Sequence, residues 1–377
     1  MIGYRYRRYC SDWQILCSGL AFVAVMAAGI YLQPGFRPLT TQVSGDKALV
    51  AFLTPLLKGA HGHVAAALIT PGGVRYGIWG NDYARQFEIG SLSKTLTASL
   101  LIDAIRRGEV TATTQVGDLV PELVGPARNI SLEELVSHRS GLPPFASSLT
   151  QKIAMLTAIV RRENPWSYDR QELAEMINRA RIPKVKIFDY SNSGFALLGL
   201  ALERASHRTF AALLEQRVFA PAGMTRSLVA QETTPPDAAF MPGWSASGLR
   251  EAPWILNAFS PAAGVRSTIV DMTKYAQALM AGKLAGSQGM APRFATDDPD
   301  SRVGYSWFTT AIKGRDIIWH DGQSAGYAAV MAFDPERKTA VVILSDTAWP
   351  VIVPAIKLLL STLSDVKEER WVMLPTY

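Results

Sequence analysis

The sequence predicts an α+β fold, in which an antiparallel sheet is covered by helices and a mostly helical lobe stands beside it. Three observations carry this. Apolar segments of strand length are separated by tight turn signals, with two near residues 64–80 and three more between 315 and 345. The stretch between them, about 110–245, is rich in helices and loops instead. A strongly apolar helix follows Ser91 and joins the two regions. After a Pro/Gly linker (Gln33-Pro34-Gly35-Phe36-Arg37-Pro38), residues 38–377 form one unit large enough for two lobes around a cleft.

In chain order, residues 46–58 read as a helix with a kink at Pro55. Val64–Thr70 and Val74–Gly80 are strands joined at Pro71-Gly72-Gly73, a hairpin. The Ser91 helix runs to Arg106-Arg107-Gly108, where cations suit the negative end of the dipole and Gly supplies a left-handed stop. Strands near 315–320, 327–334 and 339–345 follow the helical lobe, with Asp334-Pro335-Glu336-Arg337-Lys338 as a turn. An apolar helix, Val351–Leu363, closes the pattern.

Ser91-Leu92-Ser93-Lys94 places a hydroxyl and an amine one helical turn apart, on one face. A helix N-terminus favours negative charge, and a buried Lys loses proton affinity, so Lys94 can serve as base to a Ser91 nucleophile. Ser-x-x-Lys also occurs at Ser44–Lys47 and Ser364–Lys367, but those copies sit at a polar helix entrance and in a charged tail. Context, rather than the pattern, selects Ser91. Such chemistry needs a proton relay, an orienting amide and an oxyanion hole. Tyr190-Ser191-Asn192 is a single match to Tyr-x-Asn, at a corner before the buried run Phe195–Leu202. Taken alone, these residues read as an ordinary helix cap. His320-Asp321-Gly322 closes an apolar strand, where Gly322 permits close backbone approach.

With these motifs in order, the chain resembles the penicillin-recognising serine hydrolases: class C β-lactamases, DD-carboxypeptidases and related esterases and D-aminopeptidases. The resemblance spans roughly residues 45–360 and includes Val136-Ser137-His138-Arg139-Ser140-Gly141-Leu142-Pro143 and Ser260–Thr268. It implies a sheet covered by helices, a helical lobe, and an active site between them. It also implies an acyl-enzyme on Ser91, with Lys94 and Tyr190 sharing proton removal and Asn192 orienting Lys94 or a substrate amide. The backbone N–H groups of Ser91 and Gln323 would form the oxyanion hole. Gly322 and Asp321 would border the cleft, and His320 would shape it and protonate a leaving group or bind a substrate anion.

The chain departs from the class C pattern in having His-Asp-Gly where Lys-Thr-Gly is usual, and Ala263 where Gly is frequent. An unperturbed His, pKa ~6.5, is mostly neutral at pH 7, so carboxylate recognition there should be weaker or fall to another residue. The expected activity is hydrolysis of an amide or ester, DD-carboxypeptidase- or esterase-like. A β-lactamase, or a non-catalytic membrane-anchored penicillin-binding or receptor domain, is the alternative. The expected partner is a small-molecule or peptide substrate.

Competing chemistries are weaker. Gly322-Gln323-Ser324-Ala325-Gly326 matches a nucleophile elbow, but no His follows it in the chain and it leads into a strand. His61-Gly62-His63 lacks a second cluster to complete a metal site, and no cofactor is expected. Cys10 and Cys17 are the two cysteines; on a helix their ~10 Å of rise is too far for a disulfide. Residues 13–32 carry no charge and reach ~30 Å as a helix, with Arg5, Arg7 and Arg8 ahead of them. Residues 1–37 therefore read as an uncleaved membrane anchor and linker, with a cleaved signal peptide as the alternative. Either places the remainder outside the cytoplasm. The net charge of +6 is scattered and forms no nucleic-acid motif. The sequence leaves the oligomeric state open.

Overall fold

A computed structural model describes residues 38–361, except 81, 145–148, 165–167, 184–185 and 236. The apolar run 13–32, both cysteines and Ser364–Lys367 lie outside the described residues. Among the described residues, no helix is long and apolar enough to cross a membrane.

Strand β1 (Val43–Gly45) leads into helix α1 (Lys47–Leu53), whose N-terminus is capped by Asp46 accepting from the Leu49 N–H at 2.9 Å. Pro55 has no N–H to continue the ladder, and the chain tightens into a 3-10 turn, Thr54–Leu57. The hairpin forms as read, β2 (Val64–Thr70) against β3 (Gly73–Trp79), turning at Pro71-Gly72. After β4 (Phe87–Glu88) come a 3-10 turn, Gly90–Leu92, and α2 (Ser93–Arg106). Arg107 caps the end of α2, and Gly108 takes the left-handed conformation expected of a stop.

The helical lobe carries α3 (Leu149–Arg161), α4 (Arg170–Arg179) and α5 (Asn192–Ser206), with several shorter helices. Next come β5 (Leu228–Val229), β6 (Val265–Ser267) and α6 (Ile269–Met280). The remaining strands are β7 (Phe294–Ala295), β8 (Ser301–Val303), β9 (Phe308–Ile312), β10 (Arg315–Gln323), β11 (Ala328–Asp334) and β12 (Thr339–Ser345). Helix α7 (Ile352–Leu360) completes the described chain.

Nine strands form one antiparallel sheet in the order β1-β3-β2-β12-β11-β10-β9-β8-β7, and β4, β6 and β5 form a second, small one. Period-two alternation divides the large sheet's side chains between two cores. Met331, Phe333, Val342 and Leu344 face α2, α6 and the helical lobe. Val330, Ala332, Val341 and Ile343 face α1 and α7. Both faces are covered, which is why β11 and β12 are apolar except at their ends, where Asp334, Thr339 and Ser345 stand. Each fully buried Val, Leu or Ile contributes roughly 1.5–3 kcal/mol, so this sheet is a rigid platform for whatever stands on its edge.

Three features differ from the sequence reading. Strands β7 and β8 have two and three residues, too few for alternation to register. Helix α6 carries Asp271, Thr273, Lys274 and Gln277 among its apolar residues, which broke up the apolar stretch. Strand β10 runs to Gln323, three residues beyond His320. It pairs with β11 along 318–323 but with β9 only as far as Trp319. Residues 320–323 therefore have an edge without a β9 partner, next to the turn that carries Ser91.

Candidate active site

Ser91 sits in the 3-10 turn immediately before α2 rather than in the first turn of the helix itself. Two glycines allow this turn to press against β10. Gly90 has φ +51°, and a Cβ there would lie 2.5 Å from the Gln323 nitrogen. A Cβ on Gly322 would lie 2.0 Å from the Ile89 carbonyl oxygen and 2.8 Å from the Ser91 nitrogen. Main chain thus meets main chain, and the backbones of Ser91 and Gln323, the expected oxyanion-hole pair, face one another across this joint.

Lys94 lies one turn into the protein and is fully buried. Its Nζ is 2.9 Å from Ser91 Oγ, 2.6 Å from Asn192 Oδ1 and 2.9 Å from the Ala262 carbonyl oxygen. Burial drives the Lys94 pKa well below its ordinary value, against an opposing pull from Asp321. A neutral amine has two N–H groups and one lone pair. Asn192 Oδ1 and the Ala262 carbonyl can only accept, so they take the two N–H groups and leave the lone pair for the Ser91 hydroxyl. The arrangement is that of a base and its nucleophile.

Tyr190 completes it from the helical lobe. Its hydroxyl hydrogen-bonds Ser91, and burial holds the phenol above its ordinary pKa and therefore protonated. Ser191 is the N-cap of α5, accepting from the Gly194 N–H at 2.9 Å and donating to the Pro143 carbonyl at 3.2 Å. Both readings of this tripeptide hold: Ser191 is the cap, while Tyr190 and Asn192 project into the cleft.

The stretch 136–143, recognised in sequence only by resemblance, supports Tyr190. His138 is fully buried in a left-handed conformation, φ +57°. Its ring stacks on Tyr190 at 4.2 Å between centroids, and its Nδ1 accepts from the Ser191 N–H at 3.1 Å. Burial first, then Lys94 and His320, push the His138 pKa well down. The stretch 260–268 likewise gains a role, because its short helix (Ser260–Ala263) presents the Ala262 carbonyl to Lys94.

His320 departs from expectation. It is 1% exposed, packs beside Phe308, and donates from Nδ1 to the Asp321 carbonyl at 2.5 Å. Burial and the proximity of Lys94 lower its pKa to about 3. A neutral ring behind the cleft wall neither holds a substrate anion by charge nor carries a proton to a leaving group at neutral pH. Alternation along β10 turns Asp321 and Gln323 to the cleft instead, and burial raises the Asp321 pKa to about 6.

The cleft is a cavity of about 510 Å³ containing Ser91, Tyr190, Asn192, Asp321, Gly322 and Gln323. Sequence reasoning missed several of its walls: Phe188 and Asp189 ahead of the Tyr motif, Trp254 and Phe259, and Asp297 in the β7–β8 loop. The Trp254 N–H donates to buried Glu88 at 2.7 Å, which ties that wall to the strand before Ser91. Ser324 is buried in the β10–β11 turn, and His63 contacts Asp346 at 3.1 Å in a loop leading to β2.

A family model described as Beta-lactamase matches residues 49–351. The chain is 26% identical over 342 residues to a beta-lactamase of Escherichia coli (strain K12), covering 76% of this chain and 84% of that protein. It is 25% identical over 271 residues to a D-aminopeptidase of Cereibacter sphaeroides, covering 69% of this chain and 50% of that protein. The chain thus spans about half the length of some of the curated relatives it matches. A solved class C beta-lactamase superposes with a TM-score of 0.72 at 19% identity, covering 86% of this chain and 96% of that one. At that identity the likeness is one of fold.

Proposed function

The chain belongs to the beta-lactamase family, and from that premise we propose that it is a serine hydrolase that cleaves an amide or ester through an acyl-enzyme on Ser91, in the manner of a DD-carboxypeptidase or esterase. The observation that carries this reading is the Lys94 nitrogen, held between two obligate acceptors with its third direction at Ser91 Oγ. In the first step the neutral Lys94 amine takes the hydroxyl proton as Oγ attacks the carbonyl carbon. Tyr190, protonated and hydrogen-bonded to Ser91, is placed to donate a proton towards the departing group. The backbone amides of Ser91 and Gln323 are assigned to the developing oxyanion, where one donor is typically worth ~100–1000-fold in rate. Water then releases the acyl group by the reverse proton path.

The third motif weighs against a β-lactamase and towards a hydrolase whose substrate carries no carboxylate at that position, such as an esterase. The Lys of Lys-Thr-Gly is absent, the His in its place is buried, and a carboxylate faces the cavity. The extracytoplasmic setting is part of the proposal and rests on the uncharged run 13–32 behind three arginines.

An intact-mass time course with excess penicillin, run beside Ser91→Ala, tests the chemistry. A persistent adduct that requires Ser91 supports the acyl-enzyme and slow deacylation. Drug consumed without an adduct would move the assignment to β-lactamase. If Ser91→Ala hydrolyses esters and amides as fast as the parent, the nucleophile assignment is wrong.

A further inference from the structure

The cavity above Ser91 is charged with one sign. Three carboxylates line it from three separate segments: Asp189 before the Tyr motif, Asp297 in the β7–β8 loop and Asp321 on β10. Among the described residues lining it there is no Lys or Arg. Three basic groups lie near the reaction centre, Lys94, His138 and His320, and burial favours the neutral form of each. Arg266, which is not among the lining residues, lies 4.0 Å from Glu88 and against the Phe240 ring. Aromatic faces of Phe188, Trp254 and Phe259 supply much of the remaining surface.

These features decide what can bind close to the nucleophile. An anionic substrate group would enter a partly desolvated cavity facing carboxylates, with no Lys or Arg among its described lining residues to receive it. A cationic group meets the opposite situation, with carboxylates to pair with and aromatic faces that attract cations. Asp321 lines the cavity together with Ser91 and acts electrostatically on Lys94 and Tyr190, so its carboxylate stands near the reacting centre. Asp189 and Asp297 are exposed at the mouth, where they act over a longer range.

We propose that the cleft selects substrates with an ammonium or guanidinium group near the scissile carbonyl, with Asp321 as the pairing residue and Asp189 and Asp297 as the attracting rim. This rests on the Ser91 hydrolase reading and narrows it, away from substrates with a carboxylate beside the scissile bond, as a DD-carboxypeptidase's have, and towards esters and amides of cationic residues. The site is defined by the nucleophile and its cavity, and the carboxylates set the sign of what that cavity accepts.

The test uses the full chain in detergent with alanine thiobenzyl esters and 4-nitroanilides of both enantiomers. Each is supplied with its amine free, N-acetylated or N-succinylated. The free amine should exceed the acetylated form in kcat/KM by roughly ten-fold or more, with the succinylated form slowest. Added salt should compress that ratio. Asp321→Asn should cut it about ten-fold, and Asp189→Asn or Asp297→Asn about two-fold. Because the ratio is taken within one protein sample, partial misfolding of a variant does not distort it, and the parent's own preference is a test without any variant.

Labelling of Ser91 by a neutral fluorophosphonate separates the two ideas. A parent that labels yet handles the acetylated or succinylated substrates as well as the free amine overturns the selectivity. So does Asp321→Asn slowing all three equally, which would make Asp321 part of the chemistry instead. No labelling and no turnover would remove the hydrolase reading, and this inference with it.

Discussion

The floor of the cleft and its rim are built on opposite principles. At the floor, Lys94 is out of contact with water and its nitrogen has three oxygens within 2.9 Å. The two histidines nearby, His138 and His320, are also buried, and burial lowers the pKa of all three basic groups. At the rim, Asp189 and Asp297 are exposed and come from loops far apart in sequence. Low charge and close packing at the floor fix where a proton can go. Retained charge at the rim acts at a distance and needs no exact placement. On the proposed reading the reaction type belongs to the floor, and substrate preference to the carboxylates, Asp321 beside the reacting centre first and the rim second, so substitutions in these places should behave differently.

The largest effect is expected at Ser91. Ser91→Ala should lower kcat on the order of 10⁴-fold or more while the thermal unfolding curve is unchanged; an active variant would dissolve the floor as a catalytic unit. Lys94→Met comes next, with a loss of ~10²–10⁴-fold measured by single-turnover acylation. It also strips Asn192 Oδ1 and the Ala262 carbonyl of their donor, so a stability loss of about 1–3 kcal/mol should accompany it in a urea titration. His138→Asn keeps a residue tolerant of positive φ but removes the ring stacked on Tyr190. A cost of about 2 kcal/mol in stability, with kcat reduced more than KM is raised, would identify His138 as the support for Tyr190.

Glu88 sharpens the comparison through pH. Burial, opposed by hydrogen bonding and Arg266, raises its pKa from 4.5 to about 7. Between those values the folded state binds more protons than the unfolded chain, so this group makes stability fall as pH rises through the window. The full penalty, on the order of 3 kcal/mol, is present above about pH 7 and absent below 4.5. Glu88→Gln should flatten that part of the stability–pH curve; an unchanged slope would mean that Glu88 is ionised at little cost. The smallest effect belongs to the rim, where Asp189→Asn should alter stability by no more than about 0.5 kcal/mol in the same titration.

What was legible in the sequence follows the same division. Ser91-x-x-Lys94 and Tyr190-x-Asn192 could be read because each pair lies within a few residues and opens an apolar helix. The hairpin and β10–β12 could be read from their apolar runs and turns, and the Pro55 kink from a missing N–H. The Ala262 carbonyl could not, since a backbone atom has no residue signature. Asp297 sits in a loop that nothing in the local pattern connects to Ser91. His320 was given a polar role because sequence shows which residue stands on a strand, but not how deep that strand lies. Tyr190's dependence on His138 required knowing that residues 52 positions apart stack.

The joint between Gly90 and Gly322 carries a consequence for how such a site can change. The nucleophile's turn is held closely by main chain against main chain, Gly90 against Gln323 and Gly322 against Ile89 and Ser91. Residues around the cavity can therefore be exchanged for others without shifting Ser91, whereas the two glycines are closed to variation. On the proposed function, the catalytic centre would serve as a fixed bearing, and substitutions of the carboxylates around it are expected to change what binds while Ser91 keeps its place.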